Sequence, residues 1–304
     1  MRFVKMHGIG NDYVYVDAVN APALAERKDL PALSRRISDR HTGVGSDGLI
    51  LLCRPTVAGA DVRMRMFNAD GSESEMCGNG VRCVAKFAHD RLALRAKPMN
   101  VETGRGVLPI DYAAREGKLV EATVDMGEPI LDLSRIPVEE QLLSHREGPH
   151  RYCVILEGKK ILGLGIGKGW FATFVSMGNP HAVVFGAGAR DFTSEELSEL
   201  DLARLGPLFE SNEAFPRRIN THFVAPRSRT EATMRTWERG AGATKACGTG
   251  ACAVCVAGVL NEKLDRNVLL HLPGGDLRIR WDDKTNRVFM TGPAEDVFEG
   301  DWPD

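Results

Sequence analysis

The chain carries the same pattern twice, and this repeat limits the folds that it can adopt. Cys77-Gly78-Asn79-Gly80 lies 170 residues before Cys247-Gly248-Thr249-Gly250, and Met64-Arg-Met-Phe-Asn68 lies 170 residues before Met234-Arg-Thr-Trp-Glu238. An earlier pair, Gly10-Asn11-Asp12-Tyr13 and Gly178-Asn179-Pro180-His181, is 168 residues apart. Matches in the same order at nearly the same offset indicate duplication. We therefore expect two similarly built domains.

Short apolar or alternating runs, bounded by Gly, Pro, Asn and Asp, predict many short strands. These runs are Tyr13–Asp17, Leu49–Leu52, Val62–Phe67, Val120–Met126, Phe171–Val175, Ala182–Phe185, His222–Ala225, Thr233–Trp237, Val268–Leu272, Leu277–Trp281 and Arg287–Thr291. Helical periodicity is confined to Leu33–Ile37, Val81–Ala88, Ser194–Leu205 and Ala251–Leu260. The expected class is α+β with dominant β content, because the regular strand–helix alternation of a Rossmann fold is missing. The domain boundary is expected near Met126–Pro129, before an irregular segment that ends at about Gly148.

Charge and composition exclude several classes of protein. The 304 residues include 39 basic and 41 acidic side chains, a balance without the positive charge that nucleic acids or anionic membranes attract. The longest apolar run, Ala251–Leu260, is half of the roughly 20 residues that a membrane span needs. A cytoplasmic protein is expected, and in that compartment seven cysteines are better explained as thiols than as disulfides.

The two Cys-Gly-x-Gly turns are the places where the sequence concentrates chemistry. An apolar helical pattern follows each turn, so each cysteine is expected at a helix N-terminus. The free N–H groups there bind anions and lower the pKa of a nearby thiol. If the two domains face one another across a cleft, one thiolate removes a proton from a substrate carbon and the opposite thiol returns one to the other face. This chemistry inverts a stereocentre without a redox step.

Other readings of these residues stay open to different degrees. A zinc site built from Cys247, Cys252 and Cys255 is disfavoured, because the last two lie inside an apolar helical run. A thioredoxin-like pair is disfavoured for the same reason, and no lysine lies in a recognisable pyridoxal setting. His181, which follows the Asn179-Pro180 turn, is either a structural turn residue or a functional one. Glu238 and Arg239 either form a surface ion pair or bind an ammonium and a carboxylate, and their place beside the second turn favours binding.

Seven motifs in one order resemble the diaminopimelate epimerase family. They are Lys5-Met-His-Gly-Ile-Gly-Asn-Asp12, Phe67-Asn-Ala-Asp-Gly-Ser-Glu73, Met76-Cys-Gly-Asn-Gly-Val-Arg-Cys83, Ser176-Met-Gly-Asn-Pro-His181, Trp237-Glu-Arg-Gly-Ala-Gly242, Ala246-Cys-Gly-Thr-Gly-Ala-Cys252 and Leu272-Pro-Gly-Gly-Asp276. The resemblance implies two pseudo-symmetric domains, each a mixed sheet wrapped around a central helix. With the C-terminal strand returning to the first domain, it implies domains of residues 1–126 plus 290–304, carrying Cys77, and 127–289, carrying Cys247.

The resemblance also implies an activity and a set of site residues. The activity is interconversion of LL- and meso-2,6-diaminopimelate in lysine and peptidoglycan precursor synthesis, without pyridoxal phosphate, metal or any other cofactor. Diaminopimelate is then the partner, with no nucleic acid or membrane, and a homodimer is left open. Cys77 and Cys247 match the acid/base pair, and His181 and Glu238 match residues that tune the thiols. Substrate-binding positions match Asn11, Asn68, Gly78, Asn79, Asn179, Asn220, Glu238, Arg239, Gly248 and Thr249.

At two positions the sequence differs from the family pattern, so an alternative activity stays open. Gly48 stands where many members have a glutamine that contacts substrate, and Ala243 stands where a glutamate is common. The alternative is a cofactor-independent racemase of another amino acid, such as proline or hydroxyproline. The Asn79 of the first turn counts against it, because that family usually has histidine there. A noncatalytic amino-acid binding protein is disfavoured by the presence of both cysteines.

Overall fold

The protein is described here by a computed structural model that covers residues 1–75, 77–156, 169–188 and 190–303. Residues 76, 157–168, 189 and 304 of the expected domains lie outside the described residues. The chain divides into two compact units, Met1–Asp125 with Thr291–Asp304, and Met126–Met290. Within the described residues, no helix combines the length and the apolar character that a membrane span requires.

The helices and strands follow one another in mixed order. The first unit begins with β1 (Arg2–Gly8), β2 (Asn11–Asp17), α1 (Leu30–Ser38), β3 (Gly48–Cys53), β4 (Val62–Asn68), β5 (Glu73–Ser74), α2 (Gly78–Arg91), β6 (Met99–Thr103), β7 (Gly106–Arg115) and β8 (Lys118–Asp125). Next come β9 (Arg146–Glu147), β10 (Arg151–Ile155), β11 (Gly169–Ser176), β12 (Pro180–Val184), β13 (Gly186–Ala187), β14 (Arg190–Asp191), α3 (Ser194–Glu199) and α4 (Leu202–Glu210). The remaining elements are β15 (Asn220–Ser228), β16 (Glu231–Glu238), β17 (Gly242–Thr244), α5 (Gly248–Leu260), β18 (Asn267–Leu272), β19 (Gly275–Trp281), β20 (Val288–Pro293) and β21 (Glu295–Asp301). Short 3-10 turns lie at Pro22–Leu24 and Glu140–Leu142.

The two units pair their strands in the same sequence of directions. In the first unit, β1–β2 is antiparallel, β2–β3 parallel, β3–β4 antiparallel, β4–β6 parallel and β6–β7 antiparallel. In the second unit, β11–β12, β12–β15, β15–β16, β16–β18 and β18–β19 follow the same order. Each unit also adds a short antiparallel strand, β5 or β17, just before its buried helix. The sequence repeat is therefore a repeat of topology.

Each unit packs its strands around one helix. α2 contacts β1, β2, β3, β4, β6 and β8, whereas α5 contacts β11, β12, β15, β18 and β19. α5 is buried on nearly every face, and its small Gly, Ala, Cys and Val side chains let strands approach from all sides. A helix that is apolar all round belongs in a core. The expected α+β class, with a mixed sheet wrapped around a central helix in each domain, is confirmed.

The structure differs from the sequence-based prediction in the segment Ser194–Leu205. One helix was expected there, but α3 ends at Glu199 and α4 begins at Leu202. Thr193 and Glu196 form a capping box that starts α3, and the Asp201 side chain accepts a hydrogen bond from the Arg204 N–H to start α4. A second capping residue inside one apolar pattern thus divides it into two helices.

Candidate active site

The first thiol lies at the start of α2. Cys77 has an extended backbone (φ −134°, ψ 121°) and is the N-cap of the helix, where its Sγ accepts from the Gly80 N–H at 3.4 Å. The same Sγ donates to Asn11 Oδ1 at 3.3 Å, and Asn11 Nδ2 donates to Asp47 Oδ2 at 2.7 Å. Cys77 and Asn11, two of the expected site residues, are therefore in contact across 66 positions of sequence.

The second thiol repeats this position at the start of α5. Cys247 is the N-cap of the helix, with φ −133° and ψ 101°, and its Sγ lies 3.8 Å from Thr249 Oγ1. Only 4% of the residue is exposed. The expectation that both cysteines open a helix is confirmed by the backbone geometry.

The expectation of a lowered thiol pKa is wrong for both cysteines. Burial raises the pKa of the Cys77 thiol, although the N–H groups of Gly80 and Asn79 act in the opposite direction. Burial raises the pKa of Cys247 well above its usual value, and the negative charge of Glu238 adds to the rise. Helix N-termini stabilise thiolates, but desolvation of the charged sulfur outweighs that effect at both sites.

Two buried histidines lie beside the second thiol. His181 Nδ1 is 2.8 Å from His222 Nε2, and both residues are 0% exposed. The nearest ligand atoms of His181, His222 and Cys247 all lie within 4.8 Å of one another. His181 thus belongs to the surroundings of Cys247, which favours a functional position over a purely structural turn.

The two imidazoles belong to a chain of hydrogen bonds in which each group donates to the next, from Thr236 to Asn179. His181 Nε2 is 2.9 Å from Asn179 Oδ1, and His222 Nδ1 is 3.0 Å from Thr236 Oγ1. Because the Asn179 oxygen only accepts, His181 carries its proton on Nε2, so its Nδ1 accepts from His222 Nε2–H. Thr236 then donates to His222 Nδ1. This order holds the Asn179 amide with its oxygen toward His181 and leaves its NH₂ group for other partners.

His222 and Thr236 were not among the residues expected from the sequence. His222 lies two positions after Asn220 on β15, so both side chains lie on the same face of the strand, and in the parallel β12–β15 ladder Asn220 pairs with His181. The spacing of Asn220 and His222 was therefore the available signal. It becomes readable only once β15 is known to lie beside β12.

Burial of the histidine pair makes the stability of the protein sensitive to acid. Burial lowers the pKa of His222 to about 3 and that of His181 well below its usual value. Since the unfolded chain binds more protons below pH ~6.5, stability is full above that pH and falls as the pH falls. We expect a loss of ~2 kcal/mol per histidine between pH 7 and pH 5.

Chemical denaturation at a series of pH values measures this loss. A His222→Gln variant, which removes one of the two groups, should lose ~2 kcal/mol less between pH 7 and pH 5 than the unmodified protein. Equal slopes for the variant and the unmodified protein would contradict the assignment of the acid sensitivity to the buried pair.

The other expected binding residues form hydrogen bonds within their own units. Asn220 Oδ1 accepts from the Arg239 N–H at 3.0 Å, and the Arg239 guanidinium donates to the Arg217 carbonyl at 2.9 Å. Glu238 Oε1 accepts from Thr244 Oγ1 at 2.5 Å. In the first unit, Asn68 Nδ2 donates to Ser72 Oγ at 2.9 Å. Gly78 and Gly248 are the first residues of α2 and α5, followed by Asn79 and Thr249.

The Gly48 departure has a physical reason in the first unit. A Cβ atom on Gly48 would lie 2.1 Å from the Phe67 carbonyl oxygen, so no side chain fits on this backbone. Gly48 pairs with Asn68 in the β3–β4 ladder, and the same Cβ atom would lie 3.1 Å from the Asn68 Cα. Ala243 is exposed on β17 opposite Trp237.

Comparison with known proteins gives the family. The diaminopimelate epimerase family model matches residues 3–131 and 173–297, which include both thiol turns and the histidine pair. The chain belongs to the diaminopimelate epimerase family. The protein named diaminopimelate epimerase from Desulfovibrio desulfuricans is 50% identical over 99% of this chain and 98% of its own length. Membership makes the chain an isomerase.

Solved structures share the fold at much lower identity. A phenazine biosynthesis protein of the PhzF family from Bacillus anthracis has a TM-score of 0.68 at 15% identity, over 99% of this chain and 98% of its own. A hydroxyproline epimerase from Agrobacterium vitis, solved with trans-4-hydroxy-L-proline, has a TM-score of 0.63 at 13% identity, over 99% and 91%. At these identities the similarity concerns the fold alone, so it does not favour the alternative that this chain is a racemase of proline or hydroxyproline.

Proposed function

We propose that the chain interconverts LL-2,6-diaminopimelate and meso-2,6-diaminopimelate, using Cys77 and Cys247 as its two acid/base groups. The observation that carries this proposal is the pair of thiols at equivalent helix N-caps, one in each unit. Family membership supports the choice of substrate. The reaction belongs to the synthesis of lysine and peptidoglycan precursors, and we propose that it takes place in the cytoplasm. A homodimer stays a prediction.

The reaction needs one thiolate and one thiol at a time. The thiolate takes the α-proton, so that the C–H bond breaks, an S–H bond forms and the electron pair stays on the carbon and its carboxylate. The other thiol then gives its proton to the opposite face of the carbon and becomes the thiolate. In the reverse direction the two cysteines exchange roles. Atoms and charges balance without a redox partner.

The helix N-termini supply the stabilisation that this weakly acidic carbon requires. We propose that the N–H groups of Gly78-Asn79 and Gly248-Thr249 bind the reacting carboxylate as its negative charge grows. The side-chain oxygen of Asn79 is buried and has no hydrogen-bond partner within the described residues. A buried acceptor of this kind costs about 1–3 kcal/mol when unpaired, so a substrate ammonium group that donated to it would gain that energy on binding.

The raised pKa values of both thiols fit this scheme. A base that has been removed from water has a higher pKa and is a stronger proton acceptor once it is ionised. Glu238, whose charge raises the pKa of Cys247, favours the thiol form of that residue. The Asn11 side chain accepts a hydrogen bond from the Cys77 thiol, so it is placed to respond to the protonation state of that sulfur.

Incorporation of solvent deuterium tests mechanism and substrate together. The reduced protein, incubated with LL-diaminopimelate in D₂O without an added cofactor, should place deuterium on the inverted α-carbon while meso-diaminopimelate accumulates. Proline, trans-4-hydroxyproline and lysine serve as controls and should stay unlabelled. Absence of label from diaminopimelate while thiol titration finds the cysteines free, or label on proline instead, would contradict the assignment.

A further inference from the structure

The histidine pair beside Cys247 brings together three metal-binding side chains in the core of the second unit. The nearest ligand atoms of His181, His222 and Cys247 lie within 4.8 Å of one another, and all three residues are buried. Two imidazole nitrogens and one thiolate are the donor set that zinc and cobalt prefer among the divalent ions. The proposed epimerase reaction uses the Cys247 thiol but assigns no step to the imidazole of His222.

We propose that His181, His222 and Cys247 form a binding site for a zinc-like divalent ion, which inactivates the protein by occupying Cys247. Binding of the ion does not depend on the proposed function, whereas the inactivation by the ion rests on it. The ion binds His181 Nδ1, His222 Nε2 and the Cys247 sulfur, displacing the thiol proton to solvent. No electron is transferred, and one coordination position is left for water.

The two imidazole nitrogens are already close to the spacing that one metal ion requires. His181 Nδ1 and His222 Nε2 are 2.8 Å apart as hydrogen-bond partners. Two nitrogens held at ~2.0–2.1 Å from a tetrahedral metal are about 3.3 Å apart. The nitrogens therefore need to separate by about 0.5 Å, and the rings need to tilt so that both lone pairs point at an ion beside the line between the two nitrogens.

The hydrogen bonds behind the two rings already suit metal ligation. A metal-bound imidazole usually donates its other N–H group to an oxygen, which fixes the orientation of the ring. His181 Nε2 has Asn179 Oδ1 at 2.9 Å, and His222 Nδ1 has Thr236 Oγ1 at 3.0 Å. When the His222 proton moves from Nε2 to Nδ1, the Thr236 hydroxyl changes from donor to acceptor, so the hydrogen bond between the two residues is kept with its direction reversed.

Among its described residues the first unit has no equivalent donor set, which gives the proposal an internal control. The repeat places Tyr13 where the second unit has His181. Gly80, in the first turn of α2, faces the Ile50 side chain, whereas Gly250, in the first turn of α5, faces the His222 ring. A phenol and an alkyl group do not replace two imidazoles, so Cys77 should not bind the ion.

Cobalt(II) absorption spectroscopy of the whole reduced protein tests the site without using activity. Addition of Co²⁺ should produce tetrahedral d–d bands and a sulfur-to-cobalt charge-transfer band, saturating at one ion per chain and removed by Zn²⁺. Cys77→Ser should keep this spectrum. Cys247→Ser should lose the charge-transfer band, and His222→Gln should weaken Co²⁺ binding at least tenfold. An unchanged spectrum in Cys247→Ser, or no tetrahedral spectrum with the unmodified protein, would overturn the proposal.

Alkylation of the unmodified protein checks the same site without a variant. Iodoacetamide labelling followed by mass spectrometry should show that Zn²⁺ slows the labelling of Cys247 at least tenfold and leaves that of Cys77 within twofold. Equal protection of both thiols would overturn the assignment. Epimerase activity should fall in parallel with Zn²⁺ occupancy. A tetrahedral spectrum in a protein that never epimerises diaminopimelate would refute the proposed function and leave the metal site standing.

Discussion

Replacing either Cys77 or Cys247 with alanine is expected to lower the rate of epimerisation by about 10³-fold or more. Acid or base catalysis by one positioned side chain contributes roughly 10²–10⁴-fold, and each direction of the proposed reaction requires both thiols. Because each cysteine is the base in one direction and the acid in the other, neither variant should keep a fast direction. Conversion between the LL and meso forms, followed by chiral chromatography, measures the loss.

Proton exchange separates this loss from a loss of folding. In each alanine variant the remaining thiolate still removes the α-proton from one stereoisomer, exchanges it with solvent and returns a deuteron to the same face. Cys77→Ala and Cys247→Ala should therefore label opposite stereoisomers slowly and without inversion. A variant that epimerises at the unmodified rate would refute the two-thiol mechanism.

Two other buried cysteines provide matched controls, one in each unit. The Cys53 sulfur lies 3.9 Å from the Leu51 carbonyl oxygen within an apolar cluster, and the Cys255 sulfur lies 4.0 Å from the Arg266 carbonyl oxygen. Neither is at a helix N-terminus. Cys53→Ala and Cys255→Ala should keep the full rate, at a cost of ~1 kcal/mol in the free energy of unfolding because one small apolar group leaves the core.

Gly250→Ala is expected to destabilise the protein by about 3 kcal/mol or more and to abolish activity. A Cβ atom on Gly250 would lie 2.2 Å from His222 Cε1 and 2.7 Å from its Nε2. The His222 ring cannot turn away freely, because both of its nitrogens are hydrogen-bonded inside the core. Overpacking at a rigid buried ring lies at the upper end of the usual cost of 1–3 kcal/mol.

The equivalent glycine of the first unit is the matched control. A Cβ atom on Gly80 would lie 3.0 Å from Ile50 Cδ1 and 3.3 Å from Met64 Cε, both at the ends of flexible side chains. Gly80→Ala should therefore cost about 1 kcal/mol or less. Urea denaturation of the two variants measures the difference. Equal destabilisation would show that the His222 ring is not the obstacle in the second unit.

Much of the fold was accessible from the sequence because its signals are local. A glycine turn followed by an apolar helical period predicts where a helix begins, and both thiols are N-caps as expected. The eleven runs expected as strands all overlap observed strands. Five longer strands, β1, β6, β7, β10 and β21, were not predicted, and the pairing of β1 with β21 joins residues almost 300 positions apart. The roles of the site residues stay proposals.

The sequence by itself determined that the chain is a duplicated unit with one thiol at each of two equivalent helix starts. These properties depend on spacing and on residues close together in the chain. Only the tertiary structure decided what surrounds each thiol: Asn11 at Cys77, and His181 with His222 at Cys247. It also decided that both thiols have raised pKa values. Desolvation and contacts between distant residues arise from packing, so equal motifs acquire different chemical environments.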